Sequence, residues 1–291
     1  MNADFDAGIG ADSDGDAEVG TATKAKAEAG SLDLSTATWT DAAASDAELA
    51  LLPVGSTEQH GPHLPLGTDA LTARAVAEAG AEAYAEEHGG GAVVAPTTPV
   101  GIAAEHRHFP GTLWVSPDTF RQYVGEVIES LAHQGYERVV VVNGHGGNVG
   151  ALTELCGELT RSERAYTVPF TWFEAVADRG EMGHGGPLET ALLRAIDPES
   201  VRENRIEDAR GNAADRWGEW VSRVNLAVDS AEFTDNGVVG DPGVDAEEGE
   251  RRGEALLTEA ATALATLLDA VADCETARPA RKQAGSESTD R

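Results

Sequence analysis

The sequence predicts an α/β fold, a mostly parallel central sheet covered by helices on both faces. Three observations carry this. Short apolar runs alternate with helical patterns from residue 35 to 274, the pattern that builds parallel sheets. One run, VVVV at 139–142, is apolar at consecutive positions, as a central strand buried on both faces must be. Ligand-type side chains gather directly after these runs, where open parallel sheets bind ligands.

Each element has its own signal. LALLPV at 49–54 is a buried strand, and the alanine-rich stretch 70–88 is a helix stopped by Gly89 and Gly90. AVVA at 92–95 is a second strand. Ser116 and Pro117 open a helix with Phe120, Val124, Val127 and Leu131 at helical spacing and Gly135 as its stop. After the VVVV strand comes a helix at 148–161, whose Leu152, Leu155, Cys156 and Leu159 form one apolar face, and then a strand at 166–170. A long helix at 251–271 presents Leu257, Leu264, Leu268 and Val271, and residues 213–224, with Trp217 and Trp220, carry the pattern of an amphipathic helix.

Residues 1–34 and 275–291 have too few bulky hydrophobes to offset the entropy of ordering and are expected to be disordered tails around a single domain at 35–274. The formal net charge is −30, with 51 acidic against 21 basic residues. A field of that sign repels phosphates and excludes nucleic acid and anionic membranes as partners. With only three lysines, the balance is that of proteins from salt-loving organisms. The two cysteines exclude a disulfide framework. No leader pattern opens the chain and no run of about 18 apolar residues occurs, so a soluble cytoplasmic protein is expected.

EQHGPHLPLGTD at 58–69 follows the first strand and ends where a helix begins. Glu58 and His60 are two apart and share a side of an extended segment, and the glycine-proline turns let Asp69 fold back toward them. Two carboxylates and an imidazole suit zinc, manganese or ferrous iron, although Asp69 could equally be a helix N-cap. NGHGGN at 143–148 follows the VVVV strand, and its His145 could bind metal or shuttle protons. A phosphate cradle is the rival reading, but a basic partner and P-loop spacing are absent. In HGGPLET at 184–190, Glu189 falls in the first turn of a helix, where the dipole favours carboxylates in any case. EHRHFPGT at 105–112 adds His106 and His108 as pocket-lining candidates.

These motifs resemble the creatininase family of metal-dependent amidohydrolases: PVGSTEQHGPHLPLGTD at 53–69, FPGT at 109–112, NGHGGN at 143–148, His184 with Glu189 five residues on, and GVVGDP at 237–242. The likeness spans roughly residues 48–272. It implies a three-layer α/β/α fold, two divalent ions per chain (Zn²⁺ or Mn²⁺, with Fe²⁺ an option) and a homo-oligomer, often a hexamer. Carried over by position, Glu58, His60, Asp69, His145 and Glu189 are metal ligands, with Asp69 bridging. His184 is the general acid, and Glu189 could serve as a base instead of a ligand. Two ions sharing a carboxylate can hold a bridging hydroxide at neutral pH and polarise a carbonyl.

The implied reaction is hydrolysis of a non-peptide C–N bond in a small cyclic or linear amide. The alternatives are an archaeal formamidopyrimidine-ribonucleotide deformylase of flavin and deazaflavin synthesis, with Arg107 as the phosphate contact, and a mycofactocin precursor peptidase. His106 and Trp172 are the other expected substrate contacts, Trp172 as a lid. The chain departs from creatinine-cleaving members at Gly147, where they carry a glutamate, at Ala103, where a serine is usual, and at Gly180, where a tryptophan is expected. A catalytically silent metal-binding relative is the reading of another class, and the complete ligand set argues against it.

Overall fold

The structure, a computed structural model, describes residues 31–243 and 245–274; the rest of the two expected tails lies outside these residues. Five parallel strands, β1 (Leu32–Asp33), β2 (Leu49–Val54), β3 (Ala92–Val94), β4 (Arg138–Asn143) and β5 (Tyr166–Thr171), form one sheet in the order β1-β3-β2-β4-β5. Strand β1 shifts the expected tail boundary. Leu32 pairs with Val93, Leu34 packs on the core, and Asp33 is held by Arg74 at 2.7 Å.

The helices are α1 (Trp39–Ala44), α2 (Thr68–His88), α3 (Pro117–His133), α4 (Val149–Arg161), α5 (Pro187–Ile196), α6 (Ile206–Gly211) and α7 (Ala246–Ala272). Alternation along the central strands assigns the layers. Leu49 and Leu51 of β2 and Val140 and Val142 of β4 face a core shared with α2, α5 and α7. Ala50, Leu52, Val139 and Val141 face the opposite core, closed by Phe120, Val124 and Ile128 of α3 and Leu152, Leu155 and Leu159 of α4. The three layers follow from a period of two on fully buried strands.

Helix ends match the sequence signals where a cap specifies them. Ser116 Oγ accepts from the Thr119 N–H at 3.2 Å to start α3, and Gly89 ends α2 in the left-handed region. Helix α7 begins at Ala246, ahead of the expected 251, because Asp245 caps it by accepting from Glu248 N–H. It is long and apolar enough to cross a membrane by length and composition, but Leu256, Leu264 and Leu268 are buried in the core against α2 and α5.

Residues 213–224 do not form the expected helix. They lead into an antiparallel hairpin, β6 (Trp220–Val221) with β7 (Val224–Asn225). Ser222 and Arg223 adopt positive φ of 50° and 67° in its two-residue turn, and the Asn225 side chain accepts from Glu219 N–H at 2.9 Å. Turn geometry overrides the amphipathic pattern here.

Candidate metal centre

The chain departs to opposite sides of the sheet at β2 and β4, which lie side by side with Val54 opposite Asn143. The loops after these strands therefore open around a topological switch point. The first carries Glu58 and His60, the second His145. The N-terminus of α2 brings Asp69 between them, at a distance set by glycine: a Cβ on Gly144 would lie 2.2 Å from the Asp69 carbonyl oxygen, and one on Gly55 would lie 2.4 Å from Ala70 N. Asp69 is not the N-cap. Gly67 takes that position, leaving the Asp69 carboxylate free to turn inward.

Two groups of ligand atoms share Asp69. Its Oδ2 lies 3.1 Å from His145 Nδ1, which is 3.2 Å from Glu58 Oε1. Its Oδ1 lies 2.9 Å from His60 Nε2, which is 3.4 Å from Glu189 Oε1. In each group, Glu58, Asp69 and His145 or His60, Asp69 and Glu189, the ligand atoms all fall within 4.8 Å of one another. All five residues are buried, and both Glu58 oxygens and Asp69 Oδ2 have no hydrogen-bond partner. Buried, unpartnered carboxylate oxygens are costly unless a cation meets them, so the residues present fit divalent metal.

The electrostatics agree. Burial disfavours a charged ring, yet the Asp69 and Glu189 carboxylates hold His60 well above the ordinary histidine range, and Glu58 with Asp69 does the same for His145. Burial opposes ionisation of Asp69 as well, but His60 and His145 keep its carboxyl below the usual carboxylate range. Glu189 serves two purposes: Oε2 accepts from Gly185 N–H at 2.6 Å at the start of α5, while Oε1 faces His60. The helix-end reading is realised through Oε2, and Oε1 is left over to face the cluster.

Backbone carbonyls fix the imidazoles. A carbonyl can only accept, so His60 Nδ1 donates to Glu58 O at 3.1 Å, His145 Nε2 to Ile102 O at 2.6 Å, and His184 Nε2 to Gln59 O at 2.6 Å. Each ring then turns its other nitrogen inward, the arrangement of metal-site histidines. His184 Nδ1 lies 3.8 Å from Glu58 Oε1, and its ring sits between those of His60 and His106, each 4.3 Å away. Burial, with the nearby His60, lowers its proton affinity.

Above these groups is a cavity of ≈ 400 Å³ lined by His106, Glu105, Phe173, Met182 and Trp217, among others. His106 is there as expected. Trp172 is not a lid: it is fully buried in the core at the end of β5, and the next residue, Phe173, reaches the cavity. Arg107 is likewise outside the lining, where its guanidinium is held by Asp229 at 2.6 Å. Sequence reasoning missed Glu105, Phe173 and Met182 and placed Trp217 on an amphipathic helix, not at the cavity. Their signal lies in loop geometry, which no periodicity encodes.

Carboxylates and imidazoles converging at the switch point of a three-layer α/β/α fold define the class as an α/β protein with a candidate metal centre. The chain belongs to the creatininase family, whose sequence description, creatinine amidohydrolase, matches residues 35–268. The enzymatic class, hydrolysis of carbon–nitrogen bonds, follows from that membership. A mycofactocin precursor peptide peptidase of Mycolicibacterium smegmatis is 38% identical over 205 residues, 70% of this chain and 78% of the relative. A creatinine amidohydrolase of Pseudomonas putida is 32% identical over 200 residues, 59% and 74% respectively. A solved manganese form of creatininase matches with a TM-score of 0.65 at 25% identity, covering 82% of this chain and 98% of that one; a zinc–zinc form of a creatininase variant is also known.

Proposed function

We propose that the protein hydrolyses a C–N bond in a short precursor peptide. The lining of the cavity carries this reading. Phe173, Met182 and Trp217 wall it with apolar surface above the acid and imidazole groups, and neither lysine nor arginine is among the lining residues. Such a cavity suits an uncharged backbone amide flanked by apolar or aromatic side chains. Among the described residues no arginine or lysine side chain lines it for a ribonucleotide phosphate, and Arg107 is turned away onto Asp229. The similarity to mycofactocin precursor peptide peptidases supports the same choice. Of the substrate classes weighed from the sequence, the peptide takes first place and the small non-peptide amide second.

In this reading Glu58, Asp69 and His145 would hold one divalent ion and His60, Asp69 and Glu189 would hold a second, zinc or manganese, with Asp69 common to both groups. Bound there, such ions supply Lewis-acid polarisation of a carbonyl and a water nucleophile at neutral pH. The chain's own groups do the rest. His184 is neutral with its Nδ1 lone pair facing in, so it first takes a proton from the attacking water and then hands it from Nδ1 to the departing nitrogen, a base that becomes the acid. The apolar walls exclude bulk water and orient the amide.

The experiment is turnover of zinc- or manganese-loaded protein in high salt on a mycofactocin-type precursor peptide, creatinine and the formamidopyrimidine ribonucleotide side by side. Cleavage of the peptide, abolished by chelator and restored by metal, is expected. Cleavage of either other compound with the peptide intact would overturn the peptide reading, and turnover indifferent to chelation would overturn the metal-dependent one.

A further inference from the structure

Gln59 lies between two residues of the metal-ligand type, and its side chain faces away from them. Its orientation is fixed by partners of single polarity. Oε1 accepts from Gly61 N–H at 2.9 Å, and Nε2 donates to Gly237 O at 3.0 Å, so the amide cannot be reversed. The same Nε2 lies 2.8 Å from His106 Nδ1. An amide NH₂ can only donate, so that ring nitrogen must be the acceptor and the ring proton must sit on Nε2. Ser230 Oγ lies 3.0 Å from both the same Nδ1 and Glu105 O, and its one rotatable proton matches this state when it turns to Nδ1, since a bare ring nitrogen needs donors.

The consequence reaches the cavity. His60, His145 and His184 all turn inward the nitrogen that carries no carbonyl partner, whereas His106 turns inward an N–H, 3.4 Å from Glu58 Oε1. With metal in place of the inward ring protons of His60 and His145, His106 would be the one histidine that still offers an N–H to the cavity. A bound amide presents a carbonyl oxygen whose negative charge grows as the bond is attacked, and a fixed donor is worth most there. Gly237 completes the device: at φ +85°, a Cβ on it would lie 1.6 Å from Gln59 Oε1, so the GVVGDP segment admits the amide only because that position is glycine.

We propose that Gln59 is a positioning residue that locks His106 in the Nε2–H form, so that His106 donates a hydrogen bond to the scissile carbonyl oxygen and does not bind metal. This rests on the amide-hydrolase reading for its substrate half only, since the ring proton can be read without substrate.

The test uses ¹⁵N-labelled full-length protein, zinc-loaded, and the ¹⁵N shifts of the His106 ring. Wild type is expected to show a protonated Nε2 and a bare Nδ1. Gln59→Glu, whose carboxylate can only accept, is expected to place a proton on Nδ1. In turnover, Gln59→Leu and His106→Phe should each lower kcat by about 100-fold, the order seen on losing one fixed donor to a developing oxyanion, with KM changed only slightly. The double variant should be no worse than His106→Phe alone. A wild-type ring protonated at Nδ1 overturns the proposal even where Gln59→Glu fails to fold. Losses that multiply in the double variant, or that fall on KM alone, overturn the role of Gln59 acting through His106. A correct ring proton in a protein that hydrolyses no amide would leave the lock standing and remove only the carbonyl as its recipient.

Discussion

At the scale of single residues, the centre depends on polar groups placed where water cannot serve them. His63 shows this outside the ligand set. It is fully buried, bonded through Nε2 to Thr190 Oγ1 at 3.0 Å, and its Nδ1 has no partner. Burial, with the neighbouring His60, pushes its pKa down to about 4. The unfolded chain therefore takes up a proton near pH 6.5 that the native state refuses until about pH 4, so the stability due to neutral His63 is present above pH 6.5 and is lost as pH falls through that window. Urea unfolding in chelator at pH 7.5 and at pH 5 should show wild type losing roughly 2 kcal/mol more than His63→Gln on acidification; equal losses would contradict it. The sequence marks His63 as part of a motif but does not say that its partner would be Thr190, 127 positions away.

At the scale of elements, the start of α2 matters most. Asp69 reaches both groups of ligand atoms because the helix backbone rests on Gly55 and Gly144 at the ends of β2 and β4. Gly144→Ala would push a Cβ into the Asp69 carbonyl, a backbone atom with no room to give. We expect a loss of about 2 kcal/mol in urea unfolding, together with weakened metal retention in dialysis; unchanged metal retention would separate the glycine from the centre. The elements themselves were largely legible. VVVV, Ser116-Pro117 and the glycine stops are local signals, and the structure follows them. Residues 213–224 were not, because a two-residue turn with positive φ at Ser222 and Arg223 leaves the flanking apolar residues spaced much as a helix would. Trp217, missed for the same reason, reaches the cavity, where it meets the edge of the His106 ring at 5.5 Å between centroids.

At the scale of the whole molecule, the acidic surface and the exposed apolar hairpin make separate claims. A net charge of −30 repels itself, and salt screens that repulsion within about 3 Å at 1 M. The thermal midpoint should therefore rise from 0.1 M to 2 M KCl, and a flat or falling midpoint would contradict a halophilic surface. Val221, Val224, Leu226 and Val228 stand exposed on or beside the β6–β7 hairpin, an apolar patch of the kind that marks an interface. We propose that the chain is a homo-oligomer, and light scattering on the eluted protein should give a mass several times that of one chain. The candidate ligand residues stand in the sequence motifs, and the family resemblance, not spacing, implied that they act together with Asp69 bridging. Which oxygen of Asp69 faces which imidazole was readable from neither, since it depends on the folded loops.

The most direct measurement is metal content after dialysis of wild type, Glu58→Gln and Asp69→Asn, each loaded with zinc. Asp69 between two ions requires two equivalents per chain in wild type, loss of one in Glu58→Gln, and loss of both in Asp69→Asn. A wild type that holds a single ion, or an Asp69→Asn variant that still holds two, would contradict the shared centre.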